Sequence, residues 1–377
     1  SPDVCSSDLG GASMGVFNHP EFDHHDSIHC FEDPASGLRA IIAIHSTALG
    51  PAAGGCRRWT YASDDAALTD VLRLSRGMTY KNAVAGLPFG GGKAVILAAE
   101  QAPKSSALFE AFGRAVDSLQ GRYITAEDVG ISVDDMRIVR GETPFVSGLP
   151  QNDGGAGGDP SPWTALGVFH GIEAAVAARL GKDSLAGVSV AVQGVGHVGV
   201  YLCRLLHDAG ARLVVADVDS DALQSLTEEF PAEVVSPQDI LFCDADVLAP
   251  CALGNVLNAE TIPRIRAKVV AGAANNQLAS AEDGARLTDR GILYAPDYVI
   301  NAGGVISVAR EYLGDSTEDQ VRSEVCRIPR RLEQIFADAE SSARPTNVVA
   351  DELARRIVAG GGDDAPESQP TAGRRIA

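Results

Sequence analysis

The chain has 377 residues, enough for two domains of ordinary size, and its 45% hydrophobic and 21% charged content is that of a globular protein, which excludes a disordered chain. With 31 basic and 50 acidic residues the net charge is −19, so nucleic acid and anionic membrane surfaces are not expected partners. No uninterrupted apolar run reaches the length of a membrane span, and no transmembrane helix is expected.

Residues 1–13 lack periodicity, a basic start and an apolar core. They read as a tag or junction rather than a signal peptide and are set aside from the fold. The seven cysteines, Cys5, Cys30, Cys56, Cys203, Cys243, Cys251 and Cys326, are scattered without a CxxC pair, as expected of reduced structural thiols in a cytoplasm. His24 and His25 sit in an acidic stretch expected to be exposed. With no HxxxH or HExxH frame, no metal is expected.

Strands are predicted over 27–32 and 38–45, with a turn at Asp33-Pro34. The run 49–57 is built of small residues, as a pocket floor would be. Leu68, Val71, Leu72 and Leu74 recur at helical spacing, so 64–79 reads as a helix leading into the stretch 80–93. That stretch carries Lys81 and Lys93, four glycines and no acid. Lys81 is expected at a helix end and Lys93 at the start of an apolar strand. The Gly90-Gly91-Gly92 loop between them would let backbone approach a ligand. A partly desolvated lysine near another cation has a lowered pKa and can act as a base near neutral pH. The alternative is a surface loop with two solvated lysines. An amphipathic helix is predicted over 105–119. A strand over 122–125 then delivers Asp128 beside Gly130, a common placement for a catalytic carboxylate. The alternative for Asp128 is the N-cap of a helix over 133–139.

Gly, Pro, Asp and Ser dominate 144–163, which reads as a hinge or linker, and a helix is predicted over 164–180. Beyond it strand and helix alternate, as in a doubly wound sheet. The strand 188–192, the run Gly194-Val195-Gly196-His197-Val198-Gly199, a helix over 200–208, a strand over 213–216 and then Asp217 give the dinucleotide motif its required setting. The glycines permit a tight turn, and the helix N-terminus suits a pyrophosphate. Asp217 would accept from the adenosine ribose and repel a 2′-phosphate, favouring NAD over NADP. His197 reads as exposed on the turn rather than catalytic. Further strands are expected over 246–248, 268–271 and 293–294, with 271–277 and 298–305 at ligand-facing strand ends. A long charged helix over 318–341 is expected to kink at Pro329. A last helix over 346–359 and a disordered tail over 360–377 complete the chain.

Nine motifs in order carry a resemblance. They are GPAAGG at 50–55, MTYKNA at 78–83, GLPFGGGK at 86–93, TAEDVG at 125–130, DPSPWTALG at 159–167, GVGHVG at 194–199, APCALG at 249–254, AANNQL at 273–278 and DYVINAGGVI at 297–306. Together the chain resembles the glutamate/leucine/phenylalanine/valine dehydrogenase superfamily, nearest to its leucine-type members. The resemblance implies an α/β protein of two domains. One is an N-terminal substrate and oligomerisation domain over 14–146, with the helix 346–359 packing back on it. The other is a Rossmann-type, doubly wound NAD-binding domain over 147–340. It implies reversible oxidative deamination of an L-amino acid to the 2-oxo acid and ammonium, with NAD as cofactor, in a homo-oligomer. Lys93 and Asp128 match the water-activating lysine and the proton-shuttling acid, and Lys81 matches the lysine that holds the substrate carboxylate. Gly54, Gly55, Met78, Ala53, Ala126, Val305, Val308 and Asn276 match other substrate positions. Gly194, Gly196, His197, Val198, Gly199, Asp217, Thr164, Cys251, Ala252, Asn275 and Asn301 match cofactor positions.

Glutamate-type members carry Lys where this chain has Ala53 and Ser where it has Val308. A second substrate carboxylate would then be buried without a partner, at a cost of several kcal/mol. An apolar substrate of the leucine, valine or isoleucine type is expected, with phenylalanine as the alternative. Trp163 is bulkier than usual and is expected to narrow the cleft. A non-catalytic dinucleotide-binding regulator is the alternative of another class, and the intact Lys81, Lys93 and Asp128 argue against it. An amine dehydrogenase would not need the carboxylate clamp that Lys81 supplies.

Overall fold

The computed structural model describes residues 15–99, 103–149, 159–252, 254–314 and 317–360. The segment 1–13, the middle of the linker and the tail beyond Gly360 lie outside the described residues.

The first strands, β1 (Ser27–Asp33) and β2 (Leu38–Ser46), pair antiparallel. β2 is buried along most of its length because its alternating side chains feed two cores. Ile41 and Ala43 join Ala67, Val71 and Leu72 of helix α1 (Asp64–Val84). Ala40, Ile42 and Ile44 join Leu108, Phe109, Phe112 and Val116 of helix α2 (Ser106–Asp117). Short strands β3 (Ala52–Ala53) and β4 (Cys56–Trp59) lie parallel to the central strand β5 (Gly90–Leu97), and β3 also pairs with β6 (Tyr123–Ile124). Helix α3 (Val133–Glu142) opens with a reciprocal cap between Ser132 and Asp135. The cap is Ser132, so Asp128 is free of the capping role.

Two sequence expectations change here. The side chain of Ser63 caps α1, and the helix runs past residue 79 to Val84, which puts Lys81 inside its last turn. The three glycines expected in a loop are instead the first residues of β5, and Lys93 is its fourth. Their missing side chains make room for protein rather than ligand. A Cβ on Gly91 would lie 2.0 Å from the Thr79 backbone nitrogen of α1, and one on Gly90 would lie 1.9 Å from the Ser46 carbonyl.

Helix α4 (Ser161–Leu180) leads into the second half and ends at Gly181 in the left-handed region. There follow β7 (Ser189–Gln193), α5 (His197–Asp208), β8 (Arg212–Ala216), α6 (Ser220–Glu229), β9 (Glu233–Val234) and β10 (Val247–Pro250). Next come β11 (Val269–Val270), α7 (Glu282–Asp289) and β12 (Leu293–Tyr294). All these strands pair parallel, in the order β9-β8-β7-β10-β11-β12, the doubly wound arrangement that leaves a crevice where the order reverses between β7 and β10.

Helices α8 (Asp297–Ile300), α9 (Gly303–Leu313), α10 (Glu318–Val325), α11 (Ile328–Ser342) and α12 (Thr346–Val358) complete the described chain. The kink expected at Pro329 is a break. α10 ends before it, and Pro329 sits in the first turn of α11, where a missing N–H forfeits no helical bond. α12 returns to α1, where the Arg355 Nε donates to the Tyr80 hydroxyl at 2.8 Å. The largest core joins Tyr80, Ala83 and Val84 of α1 to Val168 and Ile172 of α4 and to Leu353 and Ile357 of α12.

His25 is buried, against expectation. Its ring bonds the Leu72 carbonyl and the Ser75 hydroxyl of α1, and it meets His45 edge-on at 4.8 Å. His24 is exposed, with φ 52°. All six described cysteines are free, and Cys56 and Cys203 are buried. Among the described residues no His/Cys/Asp/Glu cluster could hold a metal, and no helix is long and apolar enough to cross a membrane.

Candidate active site

Three elements of the first sheet bring the chemistry together. β5 carries Lys93, β4 carries Cys56 and Arg57, and the segment after β6 carries Ala126, Glu127 and Asp128. A parallel bridge between Cys56 and Glu127, with Arg58 N–H donating to the Val129 carbonyl at 2.9 Å, fixes that segment beside β4. Lys93 Nζ then lies 2.8 Å from Asp128 Oδ2, and the lysine side chain is only 8% exposed. The Arg57 Nε approaches the same carboxylate oxygen at 3.3 Å. Burial pushes the Asp128 carboxyl up, but the Lys93 ammonium, its hydrogen bond and the Arg57 guanidinium outweigh it and hold the group below the ordinary carboxylate value.

Lys81 projects from the last turn of α1 into the same cavity. Burial lowers its pKa to about 8, opposed by the carboxylate of Asp297 and reinforced by Lys93. Asp297 opens α8, and burial raises its own pKa although its oxygens accept from the backbone N–H groups of Gln277 and Tyr298 at 2.9 and 2.7 Å.

The cavity has a volume of about 980 Å³ and lies between the two halves of the chain. Lys81, Lys93 and Asp128 all line it. So do Ala53, Gly54, Gly55, Met78, Ala126, Asn276, Val305 and Val308, every substrate position named from the sequence. Phe89, Ile124 and Tyr312 extend its apolar part. Gly54 and Gly55 are glycines for packing reasons. A Cβ on Gly54 would lie 2.0 Å from the Gly92 carbonyl, and one on Gly55 would lie 2.5 Å from the Glu127 carbonyl. The Tyr123 hydroxyl donates to the Gly54 carbonyl at 2.6 Å and holds this floor from below. Trp163 does not line the cavity. Its ring lies under Arg322 of α10, so the narrowing expected of it is absent.

Of the cofactor positions, Asn275 lines the cavity and the others gather at the carboxyl ends of β7, β8, β10 and β11 and at α8 and α4. Gly194 has φ +96°, and a Cβ there would meet the Ala252 Cβ at 2.8 Å. A Cβ on Gly199 would lie 2.0 Å from the Gly194 carbonyl. Gly196, at the mouth of α5, has nothing within 4 Å, and His197 and Gly196 are exposed. The loop is thus tight where it meets protein and open where a pyrophosphate would lie. Asp217 directly follows β8 and accepts from Val195 N–H at 2.7 Å, which ties it to the glycine loop. The Thr164 hydroxyl donates to the Pro160 carbonyl at 3.2 Å, and Cys251 N–H donates to the Gln193 carbonyl at 2.7 Å. Asn301 donates through Nδ2 to the Asn275 Oδ1 at 2.8 Å and to the Ala273 carbonyl, while its own Oδ1 is buried without a partner. The open glycine loop at the mouth of α5 fits a bound dinucleotide.

Sequence reading missed Arg57, Asp70 and Asp297 as members of the site. Arg57 lies two residues past the glycine pair and Asp297 opens the DYVINAGG run, so both stood in view. Nothing in local pattern says that a charged residue will face inward.

Comparison with known proteins gives two family matches along the chain. Residues 6–145 match the family described as Glu/Leu/Phe/Val dehydrogenase, dimerisation domain. Residues 154–223 and 218–353 match Glutamate/Leucine/Phenylalanine/Valine dehydrogenase. The first match begins inside the segment that the sequence reading sets aside. Leucine dehydrogenase of Geobacillus stearothermophilus is 50% identical over 346 residues, covering 92% of this chain and 94% of that protein. Valine dehydrogenase of Streptomyces albus is 46% identical over 359 residues, covering 94% and 98%. The crystal structure of L-tryptophan dehydrogenase from Nostoc punctiforme superposes with a TM-score of 0.80 at 45% identity, covering 89% of this chain and 96% of that one.

Proposed function

The chain belongs to the Glu/Leu/Phe/Val dehydrogenase family and is an amino acid dehydrogenase, and on that premise we propose that it oxidatively deaminates apolar, branched-chain L-amino acids with NAD. The observation that carries this reading is the convergence of Lys81, Lys93 and Asp128 on one cavity that also presents an apolar patch of Ala53, Phe89, Ala126, Val305 and Val308.

In this reading Lys81 holds the substrate carboxylate, since it is the partly buried cation of the cavity without an ion-pair partner at contact distance among the described residues. Lys93 activates the attacking water and Asp128 moves protons to and from the amino nitrogen, a task its 2.8 Å contact with Lys93 permits. Bound NAD would supply the acceptor for the hydride that leaves Cα. Gly194, Gly196, His197, Val198 and Gly199 would hold its pyrophosphate side, with Asp217 at the ribose. Thr164, Cys251, Ala252, Asn275 and Asn301 would hold the rest. The carboxylate of Asp217 disfavours a 2′-phosphate and supports NAD over NADP.

Ala53, Ala126, Val305 and Val308 offer no cation to a second substrate carboxylate, which supports an apolar side chain over glutamate. Leucine, valine and isoleucine are the preferred class. Phenylalanine is the second reading, favoured by the volume left where Ala53 is small. The two halves would close on each other and exclude water before hydride transfer. A homo-oligomer assembled through the N-terminal half, 14–146, and a reducing cytoplasmic compartment complete the proposal.

The test is formation of reduced nicotinamide at 340 nm with L-leucine, L-valine, L-phenylalanine, L-glutamate and a simple amine, with NAD and with NADP. Turnover of the amine alone, or of none of them, rejects the reading. Turnover of glutamate above leucine rejects the substrate class.

A further inference from the structure

The proposed reaction uses Lys93 and Asp128 and leaves Arg57 without a task, yet Arg57 is built into the site as firmly as either. Its Nε lies 3.3 Å from the same Asp128 oxygen that Lys93 approaches at 2.8 Å. Its Nη1 lies 3.0 Å from Asp70 Oδ2 of α1 and 3.3 Å from Oδ1. The Tyr61 hydroxyl donates to Asp70 Oδ2 at 2.7 Å. The side chains of Arg57, Asp70 and Asp128 are 22%, 27% and 24% exposed, so bulk water screens this chain only in part. The charges alternate from Lys93 through Asp128 and Arg57 to Asp70. Asp70 and Lys81 stand on one helix at a separation close to three turns, so α1 carries both the anchor of this chain and the proposed carboxylate clamp.

We propose that Arg57 is the positioning residue for Asp128, that Asp70 and Tyr61 hold it in place, and that the Arg57–Asp70 pair sets the pH range over which Asp128 exchanges protons. The inference rests on the reading of Asp128 as the proton shuttle. A carboxylate that moves protons must keep one orientation in both protonation states. Lys93 alone gives it one flexible ammonium partner, whereas the planar guanidinium of Arg57 stays charged and orients the group. Asp70 offsets part of the field of that guanidinium. Besides these, Lys81 of α1 and the Cys56 thiol and Tyr123 hydroxyl lie in the electrostatic surroundings of Asp128. Burial raises both Cys56 and Tyr123 well above their ordinary values, so neither titrates near neutral pH.

The two ends of the pair therefore act with opposite sign. Removing the Arg57 charge takes a cation from Asp128 and raises its pKa, whereas removing the Asp70 charge exposes Asp128 to the full field of Arg57 and lowers it. The experiment is the pH profile of kcat/KM for the amino acid in Arg57→Met, Arg57→Lys, Asp70→Asn and Asp128→Asn. The acid limb is expected to move up by about one pH unit in Arg57→Met and down in Asp70→Asn. Arg57→Lys should keep the limb near its original position yet lose kcat roughly tenfold, because charge is kept and the planar fork is lost. The KM for the dinucleotide should not change. If Arg57→Met does not fold, the opposed behaviour of Arg57→Lys and Asp70→Asn carries the test. Limbs that stay put, or that move the same way in both, overturn the inference. So does an Arg57→Lys whose only defect is a raised KM for the amino acid, since Arg57 would then be a substrate ligand. Full activity in Asp128→Asn would instead remove the proton-shuttle reading itself. An inactive Asp128→Asn with unmoved limbs in the other variants sinks only the present inference.

Discussion

Replacing Asp128 with Asn tests the ion pair at the centre of the site through stability as well as activity. Lys93 is 8% exposed in its side chain, and its ion-pair partner is Asp128 at 2.8 Å. At an effective dielectric of about 20 the attraction at that distance is about 6 kcal/mol, most of which offsets the desolvation of the two groups. The pair is therefore worth little net, but removing one member leaves the desolvation of the other uncompensated, typically about 3–5 kcal/mol. Asp128 keeps 24% exposure, so water can reach the remaining lysine in part and the lower end of that range applies, about 3 kcal/mol. In Asp128→Asn two cations, Lys93 and Arg57, face a neutral amide, while Arg57 retains Asp70. Lys93→Met in the Asp128→Asn background removes the stranded charge and should recover about half of the loss. The measurement is urea unfolding of the wild type, both single variants and the double at one protein concentration, because the midpoints of a protein that assembles depend on concentration. Activity should fall at least 100-fold in all three, as expected for loss of a general acid–base group. A cost below about 1 kcal/mol in Asp128→Asn, or single effects that simply add, would mean that the pair is not the buried contact described here.

Three further outcomes are expected. Lys81 is held at about 8 by burial, so in the free enzyme it is charged below that pH and neutral above it. Affinity for a 2-oxo acid in the presence of dinucleotide should weaken about tenfold per unit above pH 8, and Lys81→Met should bind weakly at every pH; a titration flat to pH 10 in the wild type speaks against the clamp. Gly91→Ala puts a methyl group 2.0 Å from the Thr79 backbone of α1 and should cost about 3 kcal/mol or prevent folding, whereas Gly77→Ala on the same helix, with open space, should be neutral or stabilising by about 0.5–1 kcal/mol in thermal unfolding. Ala53→Leu fills the end of the cavity and should lower kcat/KM for phenylalanine relative to leucine by roughly 10- to 100-fold; an unchanged ratio places the side-chain pocket elsewhere.

Much of this protein is written in short-range pattern. The doubly wound half follows from strand, glycine turn, helix and acid in sequence, because each step obeys local backbone rules and right-handed crossover leaves few other arrangements. The residues proposed for the reaction are legible for a similar reason, since two lysines in an acid-free apolar stretch and a carboxylate at a strand end are costly to place unless they meet. Tertiary packing decided the rest. Sequence puts the three glycines in a loop because glycine weakens a strand, but they lie in β5 because α1 and its neighbours approach too closely for any side chain. Pro329 reads as a kink in one helix until the break before Ile328 puts it in the first turn of a second. His25 reads as solvated from its acidic neighbours and is buried because α1 offers it Leu72 and Ser75. The partners of the reacting groups, Arg57 on Asp128 and Asp297 near Lys81, come from segments far apart in the chain. Long-range electrostatic pairing depends on which strands and helices become neighbours, and that is settled only when both cores have closed.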